Sequence, residues 1–186
     1  ALGRHFNLGP QQLESLRWAG MLHDIGKLGV PERILLKPSS LTDEEYAQVK
    51  KHAALGGALL DTVHGLHHLA PFVRHHHERW DGKGYPAGLA GEEIPLEARI
   101  LAVCDATEAM ASARPYKTAF SLSQIVEELR RCAGTQFDPK VAYALIQELT
   151  AKSAVSPKNP TAEAAREKDG SEAAQSLELN HLWQPS

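Results

Sequence analysis

The sequence predicts a mainly α-helical domain, and three observations lead to that prediction. Apolar residues recur with helical periodicity through positions 1–149. No stretch alternates apolar and polar residues for long enough to propose a strand. Hydrophobic residues make up 42% of the 186 positions, which is enough to bury a core in one domain of ordinary size. We therefore expect a compact helical bundle.

Two early helices carry a start signal and a histidine on the apolar face. Pro10 starts the first full helix, and its spacing places His23 on the inward face. Thr42 and Glu45 form a capping box that opens the next long helix, in which His52 is in phase with the apolar stripe. Both histidines are predicted to point into the domain.

A pair of adjacent histidines gives the sharpest geometric signal. Leu69, Val73, His76 and His77 have the spacing of one face of a single helix, while His75 turns aside. We therefore predict that the helix continues through His77.

The segment after these histidines predicts a long loop followed by another helix. Positions 80–95 hold many Gly and Pro residues, which predicts an exposed Gly/Pro-rich loop. Ala98, Leu101 and Asp105 then share a helical face, and the helix is expected to end at Arg114, before a proline. Asp105 is thus a carboxylate on a largely apolar stripe.

Two further helices complete the predicted domain. Ser121 with Gln124 caps one, and Asp138 with the proline after it begins another that runs to about Leu149. Residues 150–186 are rich in Ala, Ser, Pro, Glu and Lys without apolar periodicity, which predicts a disordered tail or linker.

Composition excludes several classes of protein. A net charge of −3 gives no broad basic surface for long nucleic acid. Cys104 and Cys132 lack CxxC partners, which favours reduced, buried thiols and a cytoplasmic setting. The chain has no apolar run long enough to span a membrane and no signal peptide, so we expect no membrane contact by this segment. Because the chain opens on Ala1, we expect it to be a fragment of a longer protein.

Several inward-facing groups suit a metal centre. Imidazole and carboxylate together favour iron, manganese or zinc. One such histidine is more often a satisfied core residue, and Asp24 or Asp105 alone could equally bond to the backbone or to a core arginine. Taken together, they are hard to explain by packing, and Asp24, next to His23, could bridge two ions. The set comprises His23, Asp24, His52, His76, His77 and Asp105.

Two motifs make the chain resemble the HD-GYP domain family. His23-Asp24-Ile25-Gly26-Lys27 is similar to the HD signature, and the block from His76 to Pro86 is similar to HHExxDGxGYP. The resemblance covers residues 1–149. It implies an all-α domain of the HD type, in which the Gly/Pro-rich segment at positions 80–95 forms a long loop, here called the GYP loop. It also implies two or three divalent ions, Fe or Mn. The implied activity is a phosphodiesterase that hydrolyses cyclic di-GMP to pGpG and, in some members of the family, onward to GMP.

The resemblance also assigns roles to individual residues. The six residues of the inward-facing set would ligate the metals, and His23, Asp24 and Lys27 would be the catalytic residues. Lys27 would lie beside the scissile phosphate, and Arg114 and Lys117 would hold the phosphates of the substrate. Tyr85 would line the substrate site, where its ring could stack on guanine or only pin the loop. The GYP loop would also meet diguanylate cyclase (GGDEF) domains.

The sequence departs from the family in three places. The family carries a further metal-binding histidine upstream of the HD pair, at a position that would precede Ala1. The first helix of the domain is therefore expected to be missing, with a sensory or receiver domain before it. Glu108 and Ala113 stand where aspartate is common, which affects fine positioning.

Two other functions compete with the enzyme hypothesis. A non-catalytic sensor of cyclic di-GMP, or a partner-binding module, would explain the missing upstream ligand. Another phosphohydrolase of the HD superfamily would share His23, Asp24 and Asp105, but would not account for the paired His76 and His77 with the GYP block.

Overall fold

Helices make up most of the chain, as the periodicity predicts. The computed structural model describes residues 1–113 and 118–155, and within them it contains no β-strand beyond one isolated bridge. Short 3₁₀ turns at Ile25–Gly29, His67–Leu69 and Gly91–Glu93 join the longer elements. The α-helices are α1 (Leu2–His5), α2 (Pro10–Leu22), α3 (Glu32–Leu35), α4 (Asp43–Thr62), α5 (Ala70–Arg74), α6 (Leu96–Ala111), α7 (Leu122–Cys132) and α8 (Pro139–Val155).

The core is divided between two main clusters that α6 connects. Val103, Leu129 and Val141 are fully buried where α6, α7 and α8 meet. Leu101, two residues before Val103 on α6, belongs instead to a second cluster with Val73 and the apolar faces of α2 and α4. Because α6 packs on both sides, its position relative to α2 and α5 is set by burial of apolar surface.

The predicted helix starts are confirmed. Helix α2 begins at Pro10. At α4, the Glu45 amide donates to Thr42 Oγ1 at 3.3 Å, and the Thr42 amide donates to Glu45 Oε2 at 2.8 Å. Ser121 and Gln124 form the same reciprocal pair at the start of α7. These bonds satisfy amide groups that have no partner within the helix.

The prediction that one helix extends through His77 is wrong. Helix α5 ends at Arg74, and His75 to His77 form a turn. At this point the backbone bonding changes, because the Glu78 amide donates to the His75 carbonyl at 3.0 Å. A continuing helix would pair that amide with the carbonyl of Arg74, four residues earlier, so the chain turns here instead.

One helix end and one cysteine differ from the predictions, and some predicted features lie outside the described residues. Helix α8 continues to Val155, past the expected end at Leu149. Cys132 is buried as expected, but Cys104 is exposed, because Val103 takes the core-facing position and turns its neighbour outward. The remaining predictions, the substrate contacts of Arg114 and Lys117 and most of the tail, concern residues outside those described.

The loop that follows the histidine turn is held to the segment between α7 and α8. The amides of Trp80 and Asp81 donate to the carbonyls of Gln136 and Thr135, at 3.1 and 2.8 Å. Arg99 of α6 lies over the Trp80 ring, with its guanidinium carbon 5.8 Å from the ring centroid. The loop therefore rests on the core helices.

None of the helices in the described ranges is long and apolar enough to cross a lipid bilayer.

Candidate metal centre

Three histidines from different elements share one hydrogen-bonding arrangement. In each, the ring Nδ1 lies close to the carbonyl oxygen three residues earlier, at 2.7, 2.7 and 2.6 Å for His23, His52 and His76. A carbonyl can only accept, so Nδ1 must carry the proton. The Nε2 atom of each ring is therefore left with a free lone pair, as in a histidine oriented to bind a metal.

The Nε2 atom of His76 has no partner. Among the described residues it is the one buried side-chain nitrogen or oxygen without a hydrogen bond. Burial, followed by the charges of His23 and His52, lowers the pKa of His76 from 6.5 to about 3, so the ring stays neutral near pH 7. A buried, unpaired acceptor is costly, and a bound cation would relieve that cost.

His77 completes a compact triad with His52 and His76. The ligand nitrogens of the three residues all lie within 4.8 Å of one another. Burial lowers the pKa of His52 and, with the charge of His76 added, holds the pKa of His77 well below its ordinary value. Three neutral imidazoles at this separation are a donor set that suits a divalent transition-metal ion.

Asp24 lies between this triad and His23. Its Oδ1 is 3.4 Å from His52 Nε2, and its Oδ2 is 3.5 Å from His23 Nε2. Lys27 donates to Oδ2 at 2.6 Å. Burial raises the pKa of Asp24, but the charges of His23 and Lys27 outweigh burial and leave the pKa below its ordinary value. The carboxylate therefore faces both groups of histidines in its ionised form.

Asp105 adds a second carboxylate beside His23. Its Oδ1 lies 3.7 Å from His23 Nε2. Burial raises the pKa of Asp105. The charge of His23 lowers this pKa and the charge of Asp24 raises it, and the net result is a pKa above the ordinary value. The structure thus brings together all six residues of the inward-facing set, in two groups. One holds His52, His76 and His77, the other holds His23 and Asp105, and Asp24 contacts both.

Close backbone packing holds the first motif against α4. A Cβ atom on Gly26 would lie 1.9 Å from the His52 carbonyl oxygen and 2.4 Å from the Gly56 nitrogen. Only glycine lets the Ile25–Gly29 turn approach the helix this closely. This contact sets the distance between His52 and the pair formed by Asp24 and Lys27.

Glu78 is an important residue to which sequence reasoning assigned no role. Its carboxylate is buried and accepts hydrogen bonds from the amides of Ala87 and Leu89, at 2.7 and 3.1 Å. His75 Nδ1 lies 3.4 Å from the same carboxylate. The loop is thereby tied to the histidine turn. The available signal was its place inside the HHE motif, although a motif does not say which amides a carboxylate will reach.

Tyr85 packs directly on His77. The two rings are stacked, with centroids 4.9 Å apart and planes inclined by 29°. The Tyr85 amide also donates to the His77 carbonyl at 3.2 Å. A Cβ atom on Gly84 would lie 2.3 Å from the Arg79 nitrogen, so only glycine fits where the loop folds back on Arg79. One face of the Tyr85 ring is therefore already in contact with a triad histidine.

Known proteins are similar to this chain over most of its length. Residues 1–141 match the family model described as HD domain. The cyclic di-GMP phosphodiesterase response regulator RpfG of Xanthomonas campestris pv. campestris is 40% identical over 78% of this chain and 39% of its own length. A cyclic di-GMP phosphodiesterase of Thermotoga maritima is 42% identical over 71% of this chain and 36% of its own length. A 3'3'-cGAMP-specific phosphodiesterase 2 of Vibrio cholerae is 36% identical over 78% of this chain and 28% of its own length.

A solved structure supports the fold. The crystal structure of a cyclic GMP-AMP specific phosphodiesterase of Vibrio cholerae (V-cGAP3) has a TM-score of 0.53 and 18% sequence identity, over 84% of this chain and 41% of that chain. The chain spans less than two fifths of the length of the three curated relatives described above. From the family match and the similarity to cyclic di-GMP phosphodiesterases, the chain belongs to the HD domain family, and its resemblance to HD-GYP domains is confirmed.

Proposed function

We propose that this domain is a metal-dependent phosphodiesterase that hydrolyses cyclic di-GMP to pGpG and onward to GMP. The observation that supports this most is the position of Asp24 between two sets of metal-binding groups, with free Nε2 lone pairs facing it. Paired metal sites about 3.5 to 4 Å apart are typical of enzymes that act on phosphate esters.

We propose that the six residues of the inward-facing set hold two or three ions, with iron or manganese as the native metal. Histidine and carboxylate donors suit these metals. Such ions would supply Lewis acidity toward the phosphodiester and a nucleophile near neutral pH. The unpaired Nε2 of His76 supports metal binding independently of the motif, because a buried acceptor without a donor is otherwise unexplained.

Lys27 would stabilise the reacting phosphate. Its side chain is 15% exposed, and Asp24 holds its ammonium group at the edge of the candidate metal centre. A lysine is a compact point charge, suited to phosphoryl oxygens on which negative charge develops.

Arg114 and Lys117 would hold the substrate from the segment after α6, by their match to the family motif. Tyr85 would keep the ring of His77 in place.

The second candidate substrate is 3'3'-cGAMP. Three relatives from Vibrio cholerae, 36 to 39% identical to this chain, are named as phosphodiesterases specific for that dinucleotide. Both substrates are cyclic dinucleotides, and they differ in one base.

We also propose a cytoplasmic setting, contact with GGDEF domains through the GYP loop, and an upstream sensory or receiver domain.

The test is anaerobic hydrolysis with added Fe²⁺ or Mn²⁺, with the metal content counted by mass spectrometry. Cyclic di-GMP and 3'3'-cGAMP are compared at matched concentrations, and the products are separated by chromatography. Faster turnover of cyclic di-GMP supports the first candidate, and faster turnover of 3'3'-cGAMP supports the second. A chain that binds both metals and cyclic di-GMP without turnover would favour the sensor function instead.

A further inference from the structure

Lys50 has an aromatic setting and, among the described residues, no carboxylate partner. This half-buried residue of α4 places its ammonium nitrogen 5.0 Å from the ring centroid of Tyr46 and 5.9 Å from that of Tyr85. Within the described ranges, no carboxylate forms an ion pair with Lys50, whereas Lys27 is paired with Asp24. The positive charge of Lys50 is therefore available to a ligand.

The two tyrosine rings determine where this charge lies. An ammonium group near an aromatic face is attracted by the electron density of the ring. Tyr46 lies one helical turn before Lys50 on α4, and Tyr85 comes from the GYP loop. Tyr85 also stacks on His77, so the ring that Lys50 approaches belongs to a residue in direct contact with the histidine triad. The charge therefore lies near a neighbour of the candidate metal centre.

We propose that Lys50 binds the second, non-reacting phosphate of the cyclic dinucleotide. This inference rests on the proposed function. A cyclic dinucleotide carries two phosphodiester groups on opposite sides of one macrocycle, so a molecule with one phosphate at the metals presents a second negative charge some distance away. Lys27 is already bonded to Asp24 at the centre. Lys50 supplies a separate positive charge, from α4, and a lysine is well suited to phosphate.

The test compares two variants on two substrates. Lys50→Met removes the charge and keeps an unbranched apolar side chain. Lys51→Met makes the same change at the neighbouring exposed position, and serves as the matched control. Both variants and the unchanged chain are loaded with Mn²⁺ and assayed on cyclic di-GMP and on bis(p-nitrophenyl) phosphate, which contains one phosphodiester and no second phosphate.

The expected result separates the two substrates. For Lys50→Met, we expect the KM for cyclic di-GMP to rise about tenfold, as for the loss of one charge-assisted contact. Its kcat should stay within about twofold, because the lost contact is made equally in the ground state and the transition state. Hydrolysis of bis(p-nitrophenyl) phosphate should be unchanged, and Lys51→Met should match the unchanged chain on both substrates.

Other outcomes would overturn the inference. Equal slowing of both substrates by Lys50→Met would mean that Lys50 only holds the Tyr85 ring in place. No effect on either substrate would remove any role for it. If the unchanged chain hydrolyses neither substrate, the proposed function fails, and calorimetric titration with cyclic di-GMP then decides the inference separately. Weaker binding by Lys50→Met alone would support it, and equal binding or no binding by all three proteins would reject it.

Discussion

The Nε2 atoms of His52 and His77 lie 3.2 Å apart, although the Nδ1 proton of His52 is already donated to a backbone carbonyl. The Nε2 atom of His52 therefore presents a lone pair toward His77. Two facing lone pairs would repel, so either the His77 nitrogen carries a proton or both nitrogens share a cation. This relationship connects the stability of the domain to metal binding and to pH.

Metal binding should stabilise the folded domain. The converging lone pairs exist only in the folded chain, so an ion that binds them favours folding. We expect saturating Mn²⁺ to raise the melting temperature of chelator-treated protein by about 5 to 10 °C. Thermal unfolding with and without Mn²⁺ measures this. The His76→Ala variant should lose most of this rise in melting temperature. The His64→Ala variant should keep it, because His64 is exposed and is not part of the triad.

Acid should destabilise the metal-free domain. Unfolded His76 takes up a proton below its ordinary pKa of 6.5, whereas the folded residue remains neutral down to about 3. The pKa values of His52 and His77 are lowered in the same direction by burial. The unfolded state then binds more protons, so each such histidine lowers the unfolding free energy by up to ~1.4 kcal/mol for each pH unit below its ordinary pKa.

Urea unfolding of chelator-treated protein between about pH 7 and pH 4 tests this expectation. His76→Gln should have a shallower dependence on pH, because it removes one of the contributing groups. An unfolding free energy that does not fall on acidification would contradict the prediction.

Gly26→Ala should damage both the fold and the metal centre. The added methyl group would overlap the His52 carbonyl, which is backbone and cannot move aside easily. We expect a loss of about 3 kcal/mol in unfolding free energy and a lower metal content. Gly20→Ala is the matched control, since its methyl group would meet only a Leu101 side-chain carbon at 3.6 Å. Equal stability of the two variants would show that the close approach is unimportant.

Glu78→Gln should loosen the GYP loop. The carboxylate accepts from two amides, whereas a glutamine offers one oxygen and turns an NH₂ group toward the other amide. We expect the unfolding free energy to fall by about 1 to 3 kcal/mol, and hydrogen exchange at Ala87 and Leu89 to become faster. Glu92→Gln, at an exposed ion pair with Lys140, should change stability by less than about 0.5 kcal/mol.

Replacing His23 and Asp24 together with alanine should abolish turnover and lower the bound metal. The two side chains face each other across 3.5 Å, and Asp24 contacts both groups of candidate metal ligands. Hydrolysis of cyclic di-GMP and metal counting are measured on the same preparation, with circular dichroism as the check on folding. Unchanged hydrolysis by a folded double variant would reject the mechanism.

Local features of this protein could be predicted from the sequence. The starts of α2, α4 and α7 depend on groups within three residues of one another, so Pro10, the Thr42 and Glu45 pair and the Ser121 and Gln124 pair were sufficient to predict them. The set of candidate metal ligands was also predictable, because a motif records residue type and spacing. Asp24 lies between His23 and His52, where a carboxylate that bridges two ions would lie. Its distances to the two rings could not be derived from the sequence spacing.

Tertiary structure decided what depends on distant segments. The end of α5 before His76, the carboxylate of Glu78 that reaches two loop amides, and the approach of Lys50 to Tyr85 are not visible in helical periodicity. Periodicity reports which face of a helix is apolar, but not where a turn replaces the next helical bond or which loop packs on that face. The sequence by itself determined the helical class, the helix starts and the chemistry of the site. Packing between α4, the histidine turn and the GYP loop determined its geometry, because those contacts form only when the separate apolar faces are buried together.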